Sequence, residues 1–270
     1  MSRIKTRYYL LMSILIIALL ALFANGVFES PKNCMTEHAA ADEFMWYYLP
    51  HETNQQPMPM EKAPYIKNYH VLYIGNADEN KVYLTFDDCP DNENIPNILD
   101  ILKNHHAVAT FFMTEVYMRK HPEVIKRIIS EGSLIGNHTA KHVSVTRLTF
   151  DSFTAQLKGV EDAYFEITGN EMPKLFRPPQ GLFSEQTLKY ADELGYTTVF
   201  WSFRYQDWDV SNQPSKESAF RTIMSETHPG EIVLLHCQSK TNVSILDSVL
   251  SEWEKEGYAF GLVSDIPAKS

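Results

Sequence analysis

Cysteine is nearly absent: the 270 residues contain three, Cys34, Cys89 and Cys237. So few and so scattered, they exclude a disulfide scaffold and a zinc ribbon. Positive charge is scarce too. Lys and Arg number 24 against 34 Asp and Glu, for a formal net charge of −10. Arg3, Lys5 and Arg7 stand within the first seven positions, so the remainder is more acidic still. Such a surface repels phosphate backbones, which argues against nucleic acid as a partner and leaves a neutral or polymeric substrate open. Internal repeats and low-complexity tracts are missing. A chain that is 44% hydrophobic is not predominantly disordered, and its length suits one large domain or two small ones.

What is present divides into three stretches. Tyr8 to Ala24 carries no charge and follows a basic segment, the pattern of a signal-peptide core or a short membrane anchor over residues 1–26. Ala24 and Gly26 supply small residues at −3 and −1 of a cut after Gly26. Residues 27–80 form an arm in which Pro31, Pro50, Pro57, Pro59 and Pro64 interrupt every candidate helix. Its aromatic residues Trp46, Tyr47, Tyr48, Tyr65, Tyr69 and Tyr73 either anchor it on the following domain or stack on sugar. Val71 to Ile74 is a short strand candidate. Residues 81–270 then alternate apolar runs with helical spacing. Strands are predicted at 81–86, 107–113, 197–201 and 232–235, with shorter ones at 134–136, 175–176 and 260–263. Helices are predicted at 95–104, 122–131, 151–168, 184–194, 215–226 and 243–256. That alternation is an α/β fold with a parallel sheet, and about seven strands suggest a barrel, not fully closed.

Polar residues cluster where these strands end, the edge on which such folds carry their chemistry. Asp87 and Asp88 leave the first strand together, an expensive arrangement unless a cation or a proton balances them. His138 and His142 follow the third. Four residues apart, they would share one face of a helical turn and grip one metal ion. Two histidines and a carboxylate leave positions open for water and substrate; zinc suits that set, and iron(II) oxygenases use the same ligand types. Arg177 stands in a proline-stiffened loop, Asp207 and Trp208 follow another strand, and His236 ends a third. His105, His106 and His228 read as structural.

Five segments, TFDD at 85–88, HTAKH at 138–142, RPPQG at 177–181, DW at 207–208 and LLH at 234–236, carry a resemblance. From about Lys81 to Asp265 the chain resembles the NodB-type polysaccharide deacetylases of carbohydrate esterase family 4. The resemblance implies a distorted (β/α) barrel of about seven parallel strands, the NodB homology domain. It implies a divalent metal, zinc first among candidates, on Asp88, His138 and His142. Asp87 would be the general base, oriented by Arg177, and His236 the general acid, oriented by Asp207. Gln180 would offer its backbone N–H to the oxyanion, with Trp208 and Leu234 also in the substrate-binding part. The stretches 46–48, 68–76, 199–213 and 228–236 further resemble the muramic-δ-lactam-forming de-N-acetylases of spore formers. Those act on N-acetylmuramic acid of the peptidoglycan glycan strand after an amidase has removed its peptide, which implies an exported enzyme of the cell wall or spore cortex.

The chain departs from the family pattern in places. Cys89 follows the acid pair where glycine is usual, and Gln180 stands where an aromatic is frequent. Asp88 is kept, although some lactam-type relatives replace it. Cys89 and Cys237 each adjoin a motif, either as reduced packing residues or as a disulfide pair. A peptidoglycan N-acetylglucosamine deacetylase, a catalytically inactive wall-binding module and an iron(II) oxygenase are the competing readings. The last explains the ligand set but leaves Asp87, Arg177 and His236 without a task.

Overall fold

The computed structural model describes residues 42–88 and 93–267. The expected signal or anchor segment and Cys89, with its pairing, lie outside the described residues, and among those described no helix is long and apolar enough to cross a membrane.

Eleven strands follow in chain order: β1 (Phe44–Met45), β2 (Val71–Leu72), β3 (Lys81–Asp87), β4 (Ala109–Met113), β5 (Leu134–Asn137), β6 (Leu175–Phe176), β7 (Leu182–Phe183), β8 (Thr197–Val199), β9 (Phe203–Arg204), β10 (Glu231–His236) and β11 (Ala259–Phe260). Helices α1 (Ile95–Asn104), α2 (Glu115–Lys120), α3 (Pro122–Ser130), α4 (Phe150–Thr168), α5 (Glu185–Glu193), α6 (Lys216–Glu226) and α7 (Lys240–Lys255) connect them. Nine strands form one parallel sheet in the order β2-β8-β6-β5-β4-β3-β10-β9, with β11 beside the start of β3. It is a parallel half-barrel wrapped by helices. The sheet holds one strand beyond the expected set, β9, and the strand candidate at 71–74 is present as the two-residue β2, which pairs with β8 through Val71 and Leu72. β11 is shorter than expected, because a 3₁₀ turn takes over at Val263–Asp265.

Side-chain alternation along these strands builds two cores. Val82, Leu84 and Phe86 of β3, with Val233 and Leu235 of β10, face outward and pack under the helices. Tyr83, Ile232 and Leu234 face inward, where Phe112, Val199 and Phe200 join them. The arm closes this inward core. Trp46 is completely buried, stacks on Phe200 with centroids 4.5 Å apart, and donates its indole N–H to the Trp201 carbonyl at 2.8 Å. Of the two roles open to the arm's aromatic residues, Trp46 takes anchoring.

Hydroxyl caps start the helices where the sequence leaves an apolar run. Thr149, Ser184, Ser215 and Ser239 each accept a backbone N–H from the first turn of α4, α5, α6 and α7. Gly169, with φ of +72°, ends α4. The Ser239 cap begins α7 at Lys240, three residues before the sequence expectation. α2 was not expected at all; its six residues are too few to express a helical period.

One core residue breaks the apolar rule. Glu231 opens β10 on the outward face, fully buried, and neither carboxylate oxygen has a hydrogen-bond partner. Burial pushes its pKa well above the usual carboxylate value. A carboxyl whose folded pKa is raised withdraws stability as pH climbs past its unfolded value. Replacing Glu231 with Gln should therefore raise the unfolding midpoint more at pH 8 than at pH 5, by roughly 1–3 kcal/mol at the alkaline end. Denaturant titrations at the two pH values check this; an equal effect at both would contradict it.

Candidate active site

The carboxyl edge of the sheet gathers the motif residues. Arg177 leaves β6 completely buried, its guanidinium 4.1 Å above the Phe112 ring. It donates to the Val199 carbonyl at 3.0 Å, the Phe200 carbonyl at 3.1 Å, the Thr85 hydroxyl at 2.8 Å and Asp87 Oδ1 at 2.8 Å. Every contact fixes the guanidinium plane. Burial alone would raise the Asp87 pKa, but the Arg177 charge outweighs it and holds the carboxyl below its ordinary range.

Asp88 meets the opposite situation. Adjacent strand residues point to opposite sides, so its carboxylate turns from Arg177 toward the start of α2. There it accepts from the Thr114 N–H at 3.2 Å and the Thr114 hydroxyl at 3.0 Å. Burial, with the Asp87 charge adding to it, lifts the Asp88 pKa to about 7 against the pull of those hydrogen bonds. Two neighbouring acids thus have different proton affinities.

His138 follows β5. Its Nδ1 lies 2.8 Å from the Arg177 carbonyl and donates to it, which leaves the Nε2 lone pair facing Asp87 Oδ2 at 3.6 Å. Burial lowers its pKa to about 4, so the ring is neutral at physiological pH. The His142 ring meets it edge-on with centroids 4.9 Å apart. The helical turn expected for 138–142 is not there. Thr139 and His142 have positive φ, 68° and 52°, and Asn137 Oδ1 accepts the Thr139 N–H at 2.9 Å, so a bend and not a helix brings the rings together. Local hydrogen bonding of Asn137 wins over helical spacing.

The second acid–base pair lies one strand over, where β10 aligns His236 with Asp87. His236 Nδ1 is 2.7 Å from Asp207 Oδ1, and its backbone N–H donates to Oδ2 at 2.8 Å. Burial would lower the imidazole pKa, but the Asp207 charge and hydrogen bond reverse that and raise it. Asn242, from the first turn of α7, donates to Asp207 Oδ2 at 2.6 Å. Gln180 has φ of +61° with its side chain exposed, and Gly181 behind it has φ of +68°. A Cβ at Gly181 would come within 2.5 Å of the Trp201 ring, so that turn requires glycine. Trp208 is exposed, its ring 6.1 Å from that of His236. Leu234 is buried in the inward core, aligned with Thr85 of β3.

Among the described residues, no three His, Cys, Asp or Glu side chains are gathered closely enough to hold a metal ion as they stand, and Asp88 is engaged with Thr114. The donor set still fits a divalent cation: a neutral imidazole with its Nε2 lone pair free, a second imidazole against it, and a buried carboxylate that no cation neutralises. Sequence reasoning missed Thr114 and Asn242. Thr114 had a signal, a threonine followed by glutamate straight after an apolar strand, which is the mark of a helix N-cap. Asn242 stands in no motif and carried none.

A parallel half-barrel with paired acids, two facing histidines and an arginine-bound aspartate on its carboxyl edge defines a hydrolytic (β/α)-barrel esterase. Comparison with known proteins agrees. A model of the polysaccharide deacetylase family matches residues 74–199. The peptidoglycan-N-acetylmuramic acid deacetylase PdaA of Bacillus subtilis is 39% identical over 215 residues, 79% of this chain and 82% of that protein. A peptidoglycan-N-acetylglucosamine deacetylase of Bacillus cereus is 36% identical over 201 residues, 73% of this chain and 92% of that one. The solved structure of Bacillus subtilis PdaA, a family 4 carbohydrate esterase, superposes with a TM-score of 0.80 at 37% identity, covering 83% of this chain and 97% of that one. The chain belongs to the polysaccharide deacetylases of carbohydrate esterase family 4.

The Asp207–His236 pair yields a direct test. Asp207→Asn should move the His236 imidazole titration to lower pH, followed by NMR. An unmoved titration would mean that Asp207 does not set the proton affinity of that ring.

Proposed function

We propose that this protein hydrolyses the N-acetyl group of N-acetylmuramic acid in peptidoglycan from which an amidase has removed the peptide, on the way to the muramic-δ-lactam of spore cortex. The observation that carries the chemistry is the opposition of two proton carriers: Arg177-bound Asp87 and Asp207-bound His236, aligned on neighbouring strands. The 39% identity with a peptidoglycan-N-acetylmuramic acid deacetylase supports the choice of sugar. The same reading makes residues 1–26 the export segment, 27–80 an arm and 81–270 the catalytic domain, working outside the cytoplasmic membrane.

A divalent metal, zinc by the family resemblance, would be held by Asp88, His138 and His142 and would supply carbonyl polarisation and a more acidic water. The protein groups do the rest. Asp87, kept ionised by Arg177, accepts the proton of the attacking water. The Gln180 N–H, displayed by its left-handed backbone, donates to the oxyanion. His236, kept protonated by Asp207, gives its proton to the departing amine. One water is consumed, the amide C–N bond breaks, and acetate and a free amine result. That amine stands beside the lactyl carboxyl of the same sugar, where proximity favours ring closure.

Two measurements test this. Peptidoglycan treated with the protein, with and without prior amidase digestion, should lose acetyl from muramic acid only after amidase, by fragment mass spectrometry. Acetyl loss mainly from glucosamine would reject the substrate and leave an N-acetylglucosamine deacetylase like the Bacillus cereus relative. For the metal, His138→Ala should lose bound metal and nearly all turnover. Asp87→Asn should lose turnover alone, and Asp88→Asn should weaken metal binding. Equal metal loss in Asp87→Asn and Asp88→Asn would contradict the division between base and ligand.

A further inference from the structure

On the Trp208 side of the centre a cleft of about 320 Å³ is lined by Tyr47, Tyr48, Arg204, Tyr205, Gln206 and Trp208. Arg204 ends β9 beside Leu234 of β10. The arm fixes its backbone: the Arg204 N–H donates to the Tyr48 hydroxyl oxygen at 3.3 Å. Its guanidinium lies between two indoles, 5.9 Å from the Trp201 centroid and 5.3 Å from that of Trp208. Trp208 in turn meets His236 at 6.1 Å, so a single ring separates this cation from the imidazole that would protonate the departing amine.

Two features suit the cleft to an anionic group. Arg177, the buried arginine of this edge, is spent on Asp87, whereas Arg204, half-buried, has no carboxylate partner among the described residues of a chain with net charge −10. Aromatic faces orient a guanidinium without neutralising it, and leave its N–H donors available in the ring plane. Trp201, buried beneath it, has an indole N–H with no protein acceptor.

We propose that Arg204, seated between Trp201 and Trp208, determines specificity by pairing with the lactyl carboxylate of peptide-free N-acetylmuramic acid; this rests on the substrate reading above. The lactyl group hangs from the ring carbon next to the one bearing the acetamide, so its carboxylate lies within one sugar's width of the scissile bond. That carboxylate is a free anion only when the peptide is gone, because the peptide bond converts it to a neutral amide. Arg204 therefore turns the prior removal of peptide into a test of charge. N-acetylglucosamine offers no such group and gains nothing from the cation.

The test is steady-state kinetics of the full chain on amidase-stripped glycan fragments and on N-acetylglucosamine oligomers, for wild type, Arg204→Gln and Arg204→Lys. The ratio of kcat/KM for stripped muramic acid to that for glucosamine should fall roughly 10- to 100-fold in Arg204→Gln, the scale of one charge-assisted pair. The loss should lie in KM, and Arg204→Lys should recover part of it. In wild type, a stripped fragment should inhibit roughly tenfold more tightly than the same fragment with its lactyl carboxyl amidated, a measurement independent of how the variants fold. Equal inhibition by the two fragments, or an unchanged ratio in an Arg204→Gln variant of an enzyme that does act on stripped muramic acid, overturns this inference alone. A wild type that spares stripped muramic acid overturns the substrate reading together with it.

Discussion

The buried Arg177–Asp87 pair is the constraint on which the rest of this edge depends. An arginine with no solvent exposure is tolerable only when its charge and donors are met, and here one carboxylate, one hydroxyl and two carbonyls meet them. Those partners come from β3 and from the end of β8, so the guanidinium ties together strands that are not neighbours in the sheet. The same loop presents its carbonyl to His138 and its left-handed turn at Gln180. One buried arginine thereby sets the charge of Asp87, orients a histidine and leads into the left-handed turn at Gln180.

Two adjacent acids differ in proton affinity because strand geometry sends them to different environments. Asp87 falls beside a guanidinium and stays ionised; Asp88 falls beside a neutral hydroxyl and is left with a proton affinity near neutrality. A cation would restore the Asp88 charge, and a neutral His138 is in the state a metal requires. His236 is the reverse case, since Asp207 raises the proton affinity of a buried imidazole. Asp87, Asp88, His138 and His236 are thus separated in proton affinity by their neighbours and not by their residue types.

The arm belongs to this machinery as well as to the fold. Trp46 seals the inward core, β2 extends the sheet past β8, and Tyr48 supports the backbone of Arg204. Residues that read as irregular in isolation are ordered by burying aromatic surface against a barrel that would otherwise expose Phe200 and Val199.

The sequence by itself determined which strands exist and what stands at their ends. Apolar alternation and its abrupt polar stop at Asp87, His138, Arg177 and His236 are local signals, and so are the Thr and Ser caps that start the helices. Spacing and periodicity did not determine which of two neighbouring aspartates meets a cation, because Arg177 lies 90 residues from Asp87 in the chain; only the family resemblance paired Arg177 with Asp87. Nor could they show that Asn137 bends the histidine segment out of a helix, that two residues of the arm complete the sheet, or that Arg204 ends beside Trp208 and Tyr48. The last two are pairings between distant segments, decided by the packing of the strands into a half-barrel, whereas periodicity and capping act over a few residues along one chain direction; the Asn137 bend is local, a side-chain hydrogen bond that spacing alone does not reveal.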